Sequence, residues 1–157
     1  MAKTVKEIMT ELSDLNVTIQ KILYHTEFDN YDDLSGLDID YTSAEELYLV
    51  DELRGILDKL SDISHNLKYL EQPIKSEGVL HKNRNGRYEF NGIELSSGCG
   101  LEYLATDDRH MRYNANDDYV PTPYWCASRI EHDGTDYYIV GANDLDTLEN
   151  VRVRIRR

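Results

Sequence analysis

The chain has 157 residues, with 17 Lys and Arg against 30 Asp and Glu, and a formal net charge of −13. Apolar residues make up 40% and charged residues 30%, a balance that excludes both a disordered chain and a membrane-spanning one. A chain this negative repels DNA, RNA and anionic lipid, which argues against direct nucleic-acid binding and against a membrane surface.

The opening segment, MAKTVKEIMTELSD, carries acids where a signal peptide needs an apolar run. A cytoplasmic location is expected, with Cys99 and Cys126 as reduced thiols rather than a disulfide. From there Val5, Ile8, Leu12, Leu15, Ile19 and Ile22 recur at spacings of three and four, the mark of one helical stripe. Thr4 is the expected N-cap, with Glu7 completing a capping box. A second stripe runs through Leu49, Leu53, Ile56, Leu60, Ile63, Leu67 and Leu70, and Ser43 with Glu46 forms a second capping box before it. Neither helix can hide its stripe alone, so the two are expected to pack as an antiparallel hairpin over about 4–71. Leu15, Ile19, Leu53, Ile56 and Leu60 should then be buried between them; homodimerisation through the hairpin stays open.

Residues 1–73 hold 6 basic and 16 acidic side chains, against 11 and 14 in residues 74–157. Glycine becomes frequent only after Pro73, so the chain divides there into a helical domain, 1–73, and a strand-and-turn domain, 74–157. Asn83-Arg-Asn-Gly86 and Asp133-Gly134 each separate apolar alternations and read as hairpin turns. Further strands are expected at Ile93–Leu95 and Leu101–Ala105. The closing VRVRIRR alternates, placing Val151, Val153 and Ile155 inward and Arg152, Arg154 and Arg156 outward on an edge strand. Trp125 is expected to plug the core. Five or six short strands suggest an SH3-like antiparallel barrel, with residues 106–123 as a strandless loop insertion. The fold class is therefore α+β, a helical hairpin followed by a small barrel.

The segments GVLHKNRNGRYEFNGIELSSG, RIEHDGTDYYIVG and VRVRIR resemble a small uncharacterised β-domain of Firmicute mobile-element proteins, over roughly residues 76–157. That resemblance implies a fold and a genomic setting, and no catalytic residue.

The most distinctive stretch lies between Ile22 and Leu53, which holds ten acids and no Lys or Arg. Carboxylates spaced along a rigid frame imitate the field of a phosphate backbone, and interleaved tyrosines can fill pockets on a partner. The expected partner-binding residues are Glu27, Asp29, Tyr31, Asp32, Asp33, Asp38, Asp40, Tyr41, Glu45, Glu46, Tyr48 and Glu52. The bland reading is a solubilising loop, the usual use of a charge run. The same acids do not keep the register of an EF-hand loop, and the five histidines show no metal-ligand spacing. Cys99 between glycines, and the acids Asp107, Asp108, Asp117 and Asp118 near His110, fit no catalytic motif. The reading is a non-enzymatic inhibitor without cofactor or metal, blocking the basic groove of a nucleic-acid-binding protein. The mobile-element resemblance makes that partner a host defence nuclease, in the anti-CRISPR or anti-restriction manner. The alternative is a structural adaptor that binds other proteins through the hairpin and the barrel.

Overall fold

A computed structural model describes residues 2–28 and 34–157. Among the described residues, two helices, α1 (Val5–His25) and α2 (Ala44–Glu71), precede ten short strands, so the class is α+β. The chain separates into two compact units, 1–72 and 73–157.

The expected capping box forms at α1 and only half of it forms at α2. Thr4 Oγ1 accepts from the Glu7 amide, and the Glu7 carboxylate accepts from the Thr4 amide at 2.7 Å, a complete capping box. At α2 the Ser43 hydroxyl accepts from the Glu46 amide, but the returning arm differs. The Glu46 carboxylate takes the Asp40 amide at 2.8 Å. The cap thus ties down the connection before the helix as well as the helix itself.

The seam between the helices is one residue off the expected stripe. In α1 the buried positions are Asn16 and Ile19, and in α2 they are Leu57, Ser64 and Leu67. Leu53 and Leu60 are half-buried, whereas Leu15 and Ile56 are about half exposed. The expectation that all five would be buried therefore holds fully for Ile19 alone. A helix whose apolar face is wider than one seam can turn either edge toward its neighbour, and residue spacing does not say which.

In the second unit β1 (Ile74–Val79), β10 (Arg152–Arg156), β5 (Gly100–Ala105), β8 (Tyr124–His132) and β9 (Tyr137–Ile139) form one five-stranded antiparallel sheet in that order. A three-stranded sheet joins β2 (His81–Lys82), β3 (Tyr88–Phe90) and β4 (Ile93–Glu94). The turn before β3 works as its sequence suggests: Asn83 Oδ1 accepts from the amides of Asn85 and Arg87, and Gly86 has φ +77°. At the β8–β9 turn, Asp133 Oδ1 likewise accepts from the amides of Thr135 and Asp136.

Three expectations need correction. No sheet among the described residues closes on itself, so the pairing is open where an SH3-like barrel was expected. The C-terminal strand is not an edge, because β10 lies between β1 and β5. Residues 106–123 are not strandless: β6 (Met111–Tyr113) and β7 (Tyr119–Pro121) form a hairpin. Its turn is held by Asn114 Oδ1, which accepts from the amides of Asn116 and Asp118.

One apolar cluster fills this unit. Leu80, Tyr88, Phe90 and Leu95 meet Leu101, Tyr103, Ile130, Ile139, Val153 and Ile155 from the large sheet. The opposite face of that sheet carries a cluster of charged side chains. Glu102, almost wholly buried, receives Nε–H bonds from both Arg154 and Arg156, the latter at 2.7 Å. Burial alone would raise its carboxyl, but these two arginines bring it below the usual range. The Arg154 guanidinium lies 4.2 Å from the centre of the Trp125 ring. Trp125 therefore does not plug the core. Along β8 its neighbours Tyr124 and Cys126 pack against the core instead, as the alternation of a strand requires.

Candidate protein-binding site

The acidic connection begins where α1 stops. The Thr26 hydroxyl donates back to the Ile22 carbonyl at 2.9 Å, Glu27 adopts φ +52°, and the Phe28 amide reaches the Leu23 carbonyl. Leu34 is buried, and the Gly36 amide donates to the Thr26 carbonyl. Here the backbones come so close that a Cβ on Gly36 would lie 2.2 Å from the His25 carbonyl oxygen. Gly36 is thus held against the end of α1 by main-chain contact.

Several of the expected binding acids hold this structure together. The Asp40 carboxylate accepts from the Thr42 hydroxyl at 2.6 Å and the Thr42 amide at 2.9 Å, which hold it below the ordinary carboxylate range. Glu46 caps Asp40, as above, and Glu27 accepts from the Ser35 hydroxyl. Asp38, Glu45 and Glu52 are exposed, and so are Tyr41 and Tyr48. Asp29, Tyr31, Asp32 and Asp33 lie outside the described residues. The described part of the site therefore divides into acids that order the loop and acids exposed on the loop and on α2. Tyr24 at the end of α1, exposed to 80%, adds an aromatic surface that the sequence reading left out of the site. Its place in the same lysine-free stretch was the available signal.

Cys99 and the acids near His110 make local contacts. The Cys99 amide donates to the Ser96 carbonyl, and its thiol lies 3.4 Å from the Ser96 hydroxyl, which lowers it from its ordinary value. Tyr124 Oη donates to both oxygens of Asp107, at 2.9 and 3.0 Å, while His110 meets the Tyr124 ring edge-on. Asp117 has φ +61° and forms part of the β6–β7 turn. Among the described residues, no three His, Cys, Asp or Glu side chains converge as a metal site would require. No helix of the described residues is long and apolar enough to cross a membrane.

The fold thus defines a two-unit α+β protein with an acidic helical hairpin and an antiparallel β-unit. Residues 78–155, within the second unit, match a family described as a domain of unknown function, DUF5348. The C-terminal part of the chain is therefore a domain of an uncharacterised family, as the resemblance of residues 76–157 implied. No curated protein and no solved structure matches the chain.

Proposed function

We propose that the protein is a non-enzymatic inhibitor that presents the acidic end of its helical hairpin to a basic nucleic-acid-binding groove. The observation that carries this reading is the exposure of Asp38, Glu45 and Glu52, and of Tyr24, Tyr41 and Tyr48, within one stretch of sequence without Lys or Arg. Unrelieved negative charge steers association with a basic surface, and tyrosines supply contact area at small entropic cost. A defence nuclease as target follows from the mobile-element resemblance of the second unit, and the binding mode does not depend on it.

The test uses the acids that the loop does not need. In the triple variant Asp38→Asn, Glu45→Gln and Glu52→Gln the Asp40 and Glu46 bonds remain, so the fold is kept. Capture from lysates of restriction-bearing or CRISPR-bearing bacteria, at low and high salt, should retain a nuclease on the parent protein at low salt only. The triple variant should capture it poorly and inhibit its DNA cleavage less. Parent-like capture and inhibition by the variant would remove the charge-mimicry reading.

A second reading, a structural adaptor, is favoured by a different observation. Leucines and isoleucines stay half exposed along both helices. Binding through such a face would be nearly indifferent to salt.

A further inference from the structure

We propose that two copies of this chain assemble through one apolar face of the helical hairpin into a four-helix bundle. The face follows from the register of the seam. With Met9, Asn16 and Leu23 of α1 at heptad position a, Leu12 and Ile19 fall at d, and Ile8, Leu15 and Ile22 at g. With Val50, Leu57 and Ser64 of α2 at a, Leu53, Leu60 and Leu67 fall at d, and Leu49, Ile56, Ile63 and Leu70 at g. The a and d positions of both helices are buried or half-buried over Met9–Leu23 and Val50–Leu67. The g positions are each 40–53% exposed. All seven are Leu or Ile.

A two-helix hairpin needs apolar residues only at a and d, whereas helices of a larger bundle carry them at a, d and one flank. Both helices here have the wider face. Turning one helix against the other about a two-fold axis perpendicular to both keeps like positions on the same side. The two g rows of this antiparallel pair therefore line one side of the hairpin, with the d rows at their inner margin. The a row is the less apolar one: Asn16 and Ser64 interrupt it, and Asn16 Oδ1 and Ser64 Oγ find no hydrogen-bond partner among the described residues.

Three features identify a second copy as the occupant. The seven-residue period recurs on both helices, so the face matches the knobs and holes of helices crossing at a shallow angle, and a second hairpin brings two helices with that period. A face of this kind is its own complement under two-fold symmetry, the commonest way for soluble chains to associate. The area suffices as well. Half of seven Leu or Ile side chains is on the order of 500–600 Å² of apolar surface, and with flanking residues it approaches the ~800 Å² per partner of a stable interface. The acidity of the unit does not oppose the contact. Position c, beside the g rows, carries Glu11, Thr18, His25, Glu45, Glu52, Lys59 and Asn66, a mixed rim. The acids Asp14, Asp51, Asp58 and Asp62 fall at b and f, on the far side.

The test is the mass of the full chain in solution, by light scattering and sedimentation at micromolar concentration, in low and high salt. The expected result is a dimer at both, since apolar burial is not screened. Ile56→Glu with Ile63→Glu should yield a monomer with unchanged helical circular dichroism, its self-association weakened by at least ~100-fold. Asp58→Ser with Asp62→Ser, on the far side, should remain dimeric. Should the Glu pair fail to fold, Leu15→Gln with Ile56→Gln serves as the milder form. A wild-type monomer overturns the proposal and leaves the face to helices of another protein. A dimer whose mass survives either g-row pair overturns it too, by placing the interface elsewhere. Neither result bears on the acidic end, whose residues the test leaves intact.

Discussion

Leu57 and Ile56 are neighbours of nearly equal volume, yet one is fully buried and the other half exposed. Replacing Leu57 by Ala removes methyl groups from a filled seam and should cost about 2–5 kcal/mol. Ile56→Ala, measured at a concentration where the chain is monomeric, should cost well under half as much, because water already covers much of that side chain. Equal losses in urea titrations of the two variants would show that the seam lies on the other edge of the stripe. Gly36 acts through a different cause. Its restriction is a main-chain approach rather than a dihedral angle, so even alanine there displaces the turn that carries Asp38 and Asp40.

At the level of elements, the strongest local signals were also the most reliable. The capping residue Thr4, the Asn83–Gly86 turn and the Asp133-Gly134 turn all act within a few residues, so the sequence displays them directly. The order of strands in the sheet depends on partners far apart in the chain, such as Ile74 with Arg156 and Glu102 with Arg154, and no local pattern encodes that choice. The misreading of β10 shows the consequence. Alternating arginines look alike on an edge strand and on a central strand whose outer face hides a carboxylate. Likewise the β6–β7 hairpin was legible only weakly, because Tyr113 and Tyr119 face each other across a polar turn and little of the arm is buried. Of the candidate site, the charge pattern was legible, but the division between structural and displayed acids was not. That division depends on where single amides point. The buried carboxylate beneath β10 can be tested directly. Glu102→Gln removes the carboxylate that Arg154 and Arg156, both mostly covered, share. It should destabilise the β-unit by about 3 kcal/mol, the low end for one partner lost from a buried pair. A denaturation midpoint indistinguishable from that of the parent would show that the arginines are satisfied without Glu102.

Across the whole molecule the two units should differ in their response to acid. In the β-unit, Glu94 is held below its ordinary range by a hydrogen bond from Arg87, Asp136 by Lys82, and Glu149 by His81. Asp133 is held down by the amides of Asp136 and Thr135. A carboxyl whose folded pKa is depressed stabilises the fold above its unfolded pKa, and that contribution is lost as pH falls through the folded value. The β-unit should therefore weaken progressively from about pH 4 downward. In the helical unit, Glu7 and Asp40 are likewise held down, by the Thr4 amide and the Thr42 hydroxyl. Against these stand 16 acids facing 6 bases, whose mutual repulsion is relieved as the excess carboxyls protonate. The single tryptophan, Trp125, lies in the β-unit, and the helices dominate the far-ultraviolet circular dichroism, so each unit has its own reporter. On titration below pH 5 the Trp125 fluorescence should change first, while the helical signal persists to lower pH. A single transition shared by both reporters, or a helical signal lost before the fluorescence, would mean that the carboxylates of the hairpin sustain its fold rather than serve its surface.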